Sequence, residues 1–296
     1  MTKWFLAALV LIASGCSSDV VNSEVSSIEA PVTIKVNTFS VSHEDLPAAT
    51  RTETIADYAS LKALTLAFYK DDGTEQFKTT QFRSDATTYT TFGEISTTLP
   101  LGSYTLVVIG YGQGGSNHAV TLTSPTEAGF DDYARETFTA TQTVDVTSKR
   151  PISLTATLQR IITKVSLVST DGRVSTAQSV RITFSGGSKS FNPTTGLATD
   201  DSGFANTVDV TGVTAGNTSN IANALFLATD EETMNISIET LDADDHVICT
   251  TTVPSVPLKR NRVTTLTGPV YSASTPTTVG SFQVDTAWLP GNDIEF

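Results

Sequence analysis

Apolar and polar residues alternate with a period of two along most of this chain, in short runs divided by turn residues. That period belongs to strands, and the Val, Ile and Thr that fill the runs favour extended backbone. Val32-Thr-Ile-Lys-Val-Asn37 is the first run. Leu61–Tyr69 is the second, and Asp71-Asp72-Gly73-Thr74 after it predicts a hairpin, because glycine accepts positive φ. Thr98–Ile109 predicts a turn feeding a buried strand, followed by a glycine-rich loop over Gly110–Gly115. Ser124-Pro125-Thr126-Glu127 has the layout of a helix start and predicts one short helix ending near Tyr133. Further strands are expected at Ile152–Leu158, Leu158–Leu167, Val180–Phe184, Thr207–Val213, Ala224–Ala228, Asn235–Leu241, Val247–Val253, Arg262–Leu266 and Ser281–Trp288, with a last run at Asp293–Phe296. The predicted fold class is all-β: two tandem β-sandwich domains, residues 30–156 and 157–296, with at most one or two short helices.

The first sixteen residues break this pattern. Lys3 gives a positive start, Trp4–Ala13 is apolar, and Ser14-Gly15 places two small residues before Cys16. A permanent span needs about 20 apolar residues, so this stretch is a secretory signal, residues 1–15. The cysteine at the cut site resembles a bacterial lipoprotein lipobox, with Ala13 where leucine is usual. The resemblance implies diacylation of Cys16 and cleavage between Gly15 and Cys16. The other reading is an ordinary signal peptide with an incidental cysteine. Residues 16–29 are polar and serine-rich, a lipidated flexible tether between membrane and body.

Composition narrows the classes that remain. The net charge is −13 and the pI about 4.5, which argues against a partner with a phosphate backbone and so against nucleic acid. With Cys16 lipidated, Cys249 is the one thiol left, and its strand-like setting reads as a small core residue. His43, His118 and His246 stand in unrelated contexts without zinc-type spacing. Gly110–Gly115 lacks the Lys-Ser/Thr ending of a phosphate loop. Asp242-Ala-Asp-Asp245 and Asp230-Glu-Glu232 are acidic enough for calcium but read as solvated turns. No nucleophile–base pair is visible, so the expectation is a non-enzyme with no cofactor and no metal.

Four segments together resemble the fimbrillin family, the subunits of type V pili. They are Leu99-Pro-Leu-Gly-Ser-Tyr-Thr-Leu106, Leu158-Gln-Arg-Ile-Ile-Thr-Lys-Val165, Pro257–Gly268 and Val284-Asp-Thr-Ala-Trp288. The resemblance implies two transthyretin-like Greek-key sandwiches, export as an outer-membrane lipoprotein precursor and assembly into a surface fimbria. It also implies cleavage after an arginine in the loop that follows the first strand. Here that strand is Val32–Ser42, and Arg51–Thr52 is the bond; by itself Arg51 is an ordinary solvated loop residue. The implied partners are other pilus subunits, like or unlike, the outer membrane through the lipid before maturation, and a host or bacterial adhesion ligand. The implied donor strand is the C-terminal segment, with Phe282, Val284, Trp288, Leu289, Ile294 and Phe296 as its bulky residues and Pro290-Gly291 as a break. The same segment can equally pack on its own sandwich. An anchor subunit that keeps its lipid and a surface glycan-binding lipoprotein are the alternatives; Trp288, the one tryptophan outside the signal, weakens the second.

The lipobox reading predicts that Cys16→Ala abolishes incorporation of radiolabelled palmitate and shifts the protein out of the outer-membrane fraction. Label retained on the variant would refute it.

Overall fold

The computed structural model describes residues 28–40, 55, 58–112, 118–272 and 283–288, and every long regular element among them is a strand. Chain order begins β1 (Glu29–Ser40), β2 (Ala63–Lys70), β3 (Glu75–Phe82), β4 (Glu94–Pro100) and β5 (Gly102–Tyr111). After the short β6 (Thr121–Ser124) and β7 (Glu127–Gly129) come β8 (Thr137–Val146) and β9 (Ile152–Arg160). Seven of these make one sheet in the order β3-β2-β5-β8-β9-β1-β4.

That sheet folds over on itself at one weak seam. β8 and β9 pair only at Phe138↔Arg160 and Thr139↔Gln159, and diverge beyond. Leu66, Phe68, Leu106 and Val108 from one arm and Val32, Ile34, Leu99 and Leu158 from the other then share a single core. On the far side the two edge strands are fastened by one side chain. The Gln81 amide donates to Glu94 O at 2.8 Å and accepts from Gly93 N at 2.8 Å. Two-layer packing of this kind is what the strand alternation predicts.

The second half continues with β10 (Thr163–Ser169), β11 (Ser179–Phe184), β12 (Ser190–Asn192), β13 (Leu197–Ala198), β14 (Phe204–Asp209) and β15 (Asn220–Leu225). It ends with β16 (Glu231–Leu241), β17 (Val247–Lys259), β18 (Arg262–Gly268) and β19 (Gln283–Trp288). Sheets β15-β10-β18-β19 and β14-β11-β16-β17 close on a core that includes Val165, Leu167, Ile182, Phe184, Ile236, Ile238 and Leu266.

A small sheet, β13-β12-β7-β6, draws on both halves of the chain and covers the outer face of β2 and β5. Ala63, Ala67, Val107 and Ile109 meet Leu122, Phe130, Phe191 and Phe226 there, with the Phe191 and Phe226 rings 4.4 Å apart. Both faces of β2 are therefore buried, which is why Ala-Leu-Thr-Leu-Ala-Phe-Tyr reads as a nearly continuous apolar run.

Two expectations fail here for local reasons. The helix expected from Ser124 to near Tyr133 is instead the β6–β7 hairpin. Ser124 Oγ does accept the Thr126 N–H, at 3.2 Å, but it closes a turn rather than capping a helix. The expected loop at Gly110 is strand: β5 runs through Gly110 and Tyr111. A Cβ on Gly110 would stand 2.8 Å from Leu61 Cδ1, so this glycine serves close packing.

The end of β18 is held by Asp171. Its carboxylate accepts from Val270 N (2.8 Å), Tyr271 N (3.0 Å), Ser272 N (2.7 Å) and Ser272 Oγ (2.6 Å). Burial alone would push this carboxyl up, but the hydrogen bonds outweigh it and hold it below the usual range. Its contribution to stability is thus full above the unfolded carboxyl value, about 3.9, and is lost as pH falls through the lower folded value. Between about pH 4 and pH 2, the melting temperature of Asp171→Asn should fall less steeply than that of the wild type. Equal slopes in thermal melts would show that the carboxylate is not the group holding this segment.

Candidate functional site

β1 lies between two strands that are not its neighbours in sequence. It pairs antiparallel with β4 from Glu29↔Pro100 to Lys35↔Glu94 and parallel with β9 from Val32↔Ile152 to Ser40↔Gln159, with a bulge between Val36 and Thr38. Its alternation is strict. Ala30, Val32, Ile34 and Val36 are at most 1% exposed, while Pro31 and Lys35 face solvent. The polar contacts along it, Lys35–Glu94 at 2.6 Å and Thr98 Oγ1 to Glu29 Oε2 at 3.0 Å, are exposed and screened. Two backbone ladders and one row of apolar side chains therefore hold the strand.

The chain is anchored again soon after β1. Arg83 donates from Nε to Leu61 O at 2.8 Å and from Nη2 to Ile55 O at 2.8 Å and Tyr58 O at 3.4 Å. Its guanidinium lies 4.3 Å above the Phe92 ring. Ile55, Tyr58 and Leu61 are buried in the same core as β1. The Tyr58 hydroxyl donates to Glu136 Oε1 at 2.6 Å. Arg160 pairs with Glu136 at 2.7 Å, donates to the Tyr58 hydroxyl at 2.7 Å and reaches Asn261 Oδ1 at 3.1 Å. Burial and then the Glu136 charge raise the Tyr58 hydroxyl, so it stays protonated as the donor. Burial also pushes Lys164 down to about 8, against the pull of Glu136.

The sequence reading missed this buried hub, because Tyr58, Glu136, Arg160 and Asn261 lie far apart in the chain. The signal was a charged residue placed where alternation demands an inward side chain: Arg160 ends β9 on its buried face.

Of the residues singled out from sequence, Val284 and Trp288 fall in β19, opposite Leu266 and Arg262 of β18 at the edge of the sheet. Gly15, Cys16, Arg51, Thr52, Phe282, Leu289, Ile294 and Phe296 lie outside the described residues. Cys249 is buried and donates to Val270 O at 3.1 Å; burial pushes its thiol up, as for a core residue. The Asp242–Asp245 run is the β16–β17 turn. Asp242, Asp244 and His246 come together there, a grouping the histidine spacing did not suggest. Asp242 Oδ1 already accepts the Asp244 and His246 N–H groups, each at 2.9 Å, which accounts for the cluster as a turn.

A family model described as a family of unknown function (DUF6562) matches residues 29–286. No curated protein sequence matches the chain. Among solved structures, a candidate adhesin from Bacteroides ovatus is similar at 12% identity and TM-score 0.49, covering 82% of this chain and 88% of its own. The fimbrial anchor protein Mfa2 from Porphyromonas gingivalis gives 12% and 0.48, covering 88% of this chain and 98% of its own. The tip fimbrial protein Mfa3 from the same organism gives 10% and 0.39, covering 88% and 100%. With identities near a tenth and TM-scores below 0.5, none of these carries a function to this chain.

The geometry of β1 predicts a sharp contrast in urea unfolding. Ile34→Ala should cost about 2–5 kcal/mol, the loss of a buried branched side chain plus its cavity. Lys35→Ala, one residue on and facing solvent, should leave the midpoint unchanged. Equal effects would mean that the apolar row does not hold the strand.

Proposed function

Since this chain belongs to the DUF6562 family of unknown function, its role is read from its own architecture, and we propose that it is a non-enzymatic subunit of a cell-surface fimbria, exported as a lipoprotein, matured by cleavage after Arg51 and joined to its neighbours by strand exchange. The observation that carries this reading is the placement of β1. It sits between β9 and β4, and only the segment 41–54, which contains Arg51, separates it from the anchor at Ile55 and Tyr58. A cut in that segment leaves β1 attached by non-covalent contacts alone. The body keeps its fastening through Arg83, Glu136 and Arg160.

Departure of β1 would leave two unpaired strand edges and an apolar floor where Ala30, Val32, Ile34 and Val36 had been. An extended segment of another subunit, like or unlike, fills such a groove by β-augmentation: backbone bonds give affinity and alternate side chains set register. Four or five buried side chains at about 1.5–3 kcal/mol each are enough to offset part of an association cost of about 4–15 kcal/mol. The backbone ladders on both sides add the rest. The C-terminal segment from Phe282 to Phe296 is the donor in this reading. Its β19 portion is an edge strand, paired on one side only, so its release disrupts a single ladder.

Before maturation the lipid on Cys16 would hold the subunit at the outer membrane; after it, adhesion to a host or bacterial ligand would be the fibre's work. The second reading, a lipid-retaining anchor, follows if residues 41–54 stay uncut.

The deciding experiment is Arg51→Ala expressed in the native cell. The expected result is an uncut, acylated, monomeric precursor where the wild type gives a Thr52 N-terminus and SDS-resistant multimers. An acylated, uncut wild type within sheared fibres would replace the polymerising subunit with the anchor. An acylated monomer never found in fibres would overturn the pilus reading.

A further inference from the structure

The C-terminal half carries a second feature, unconnected with β1. β14 and β15 are edge strands of its two facing sheets, and a cleft of about 400 Å³ opens between them. That volume falls within the range of small-molecule sites, about 300–1,000 Å³. Its floor is apolar, with Val208, Val210 and Ile221 reaching it from the sandwich core. Asn206, Asp209 and Asn223 supply polar groups, and no lysine or arginine lines the cleft.

Asn223 is the buried polar residue of this cleft. It is 4% exposed, and its Oδ1 accepts from Asn206 Nδ2 at 3.1 Å. Among the described residues its own Nδ2 has no hydrogen-bond partner. A buried donor left unmet destabilises the site, a cost that an acceptor reaching it would recover.

We propose that this cleft is a binding site for a neutral saccharide, a hexose or the end of a glycan chain. Each part of the lining matches that chemistry. Side-chain amides offer a donor and an acceptor side by side, the pairing that vicinal hydroxyls require. Asp209 also lines the cleft, its carboxylate already accepting the Thr211 N–H at 2.6 Å, and the valine floor packs against the C–H face of a sugar ring. A hydroxyl oxygen that displaces the Asn206 amide reaches the Asn223 Nδ2, which is otherwise covered, and gives it an acceptor. Among the described residues no cation lines the cleft and the nearby Arg173 is spent on Val213 O and Ala177 O, which disfavours sulfated, phosphorylated or sialylated sugars.

A peptide strand fits less well. The outer edge of β15 is already bridged at Ala224 by Ala134, while its inner edge pairs with β10. The Asn206–Asn223 contact crosses the gap that an added strand would occupy. Backbone augmentation needs an edge clear over several residues.

The test is saturation-transfer NMR and titration calorimetry on the full chain. The probes are galactose, mannose, N-acetylglucosamine, lactose and cellobiose, with sialyllactose and an eight-residue alternating Val-Thr peptide as the other ligand classes. At least one neutral sugar should bind. Asn223→Ala and Asn206→Ala should each weaken it about tenfold or more, the loss of one or two hydrogen bonds from the cleft. Asp209→Ala, at an exposed position, should weaken it several-fold with the β circular-dichroism spectrum kept, which keeps the test valid if a variant of buried Asn223 fails to fold. The proposal is overturned if no neutral sugar binds, if binding survives Asn206→Ala and Asp209→Ala undiminished, or if sialyllactose or the peptide binds in preference.

Discussion

A strand buried between two others cannot leave without exposing backbone groups on both of its neighbours, and that constraint organises this molecule. β1 satisfies β9 on one side and β4 on the other while filling the core with Ala30, Val32, Ile34 and Val36. The N-terminal sheet curls at the weak β8–β9 seam, so both of its arms depend on that one filled core. Between water and an apolar groove the unmet N–H and C=O groups are costly, so the groove is stable only while some strand occupies it. The sequence of the occupant is a secondary matter, provided that it alternates and keeps register.

The rest of the chain is fastened by contacts that do not pass through β1. The outer face of β2 and β5 is covered by a sheet drawn from both halves, and the Phe130, Phe191 and Phe226 rings cluster beneath it. The Tyr58–Glu136–Arg160 hub buries charge only because each member meets another. Such a network contributes specificity of placement more than net stability, since desolvation offsets much of the attraction. It fixes where the chain re-enters the body after the segment 41–54.

The open sides of the sandwiches are handled by side chains. Gln81 stitches β3 to β4, and Asn206 reaches Asn223 between β14 and β15. Both devices hinder edge-to-edge association at those places. Gln81 is satisfied at both ends of its amide, whereas Asn223 Nδ2 has no partner among the described residues.

Period-two alternation was enough to make the chain all-β and to locate most strands, because burial of one face is a local property of each run. The secretory reading of residues 1–15 rests on composition along a short stretch alone and lies outside the described residues. Local patterns misled where two structures share one signature. Ser124-Pro125-Thr126-Glu127 suits a helix start or a hairpin turn, and the hairpin won because β7 pairs with β12 from the other half of the chain. Gly110 suits a loop or a crowded strand, and the crowding came from Leu61 and Leu158. Pairing itself was never in the sequence. The parallel contact of β1 with β9 joins residues more than a hundred positions apart, and the hub and the β14–β15 cleft arise the same way. Alternation says which face of a strand is buried; only the closed core decides what it is buried against.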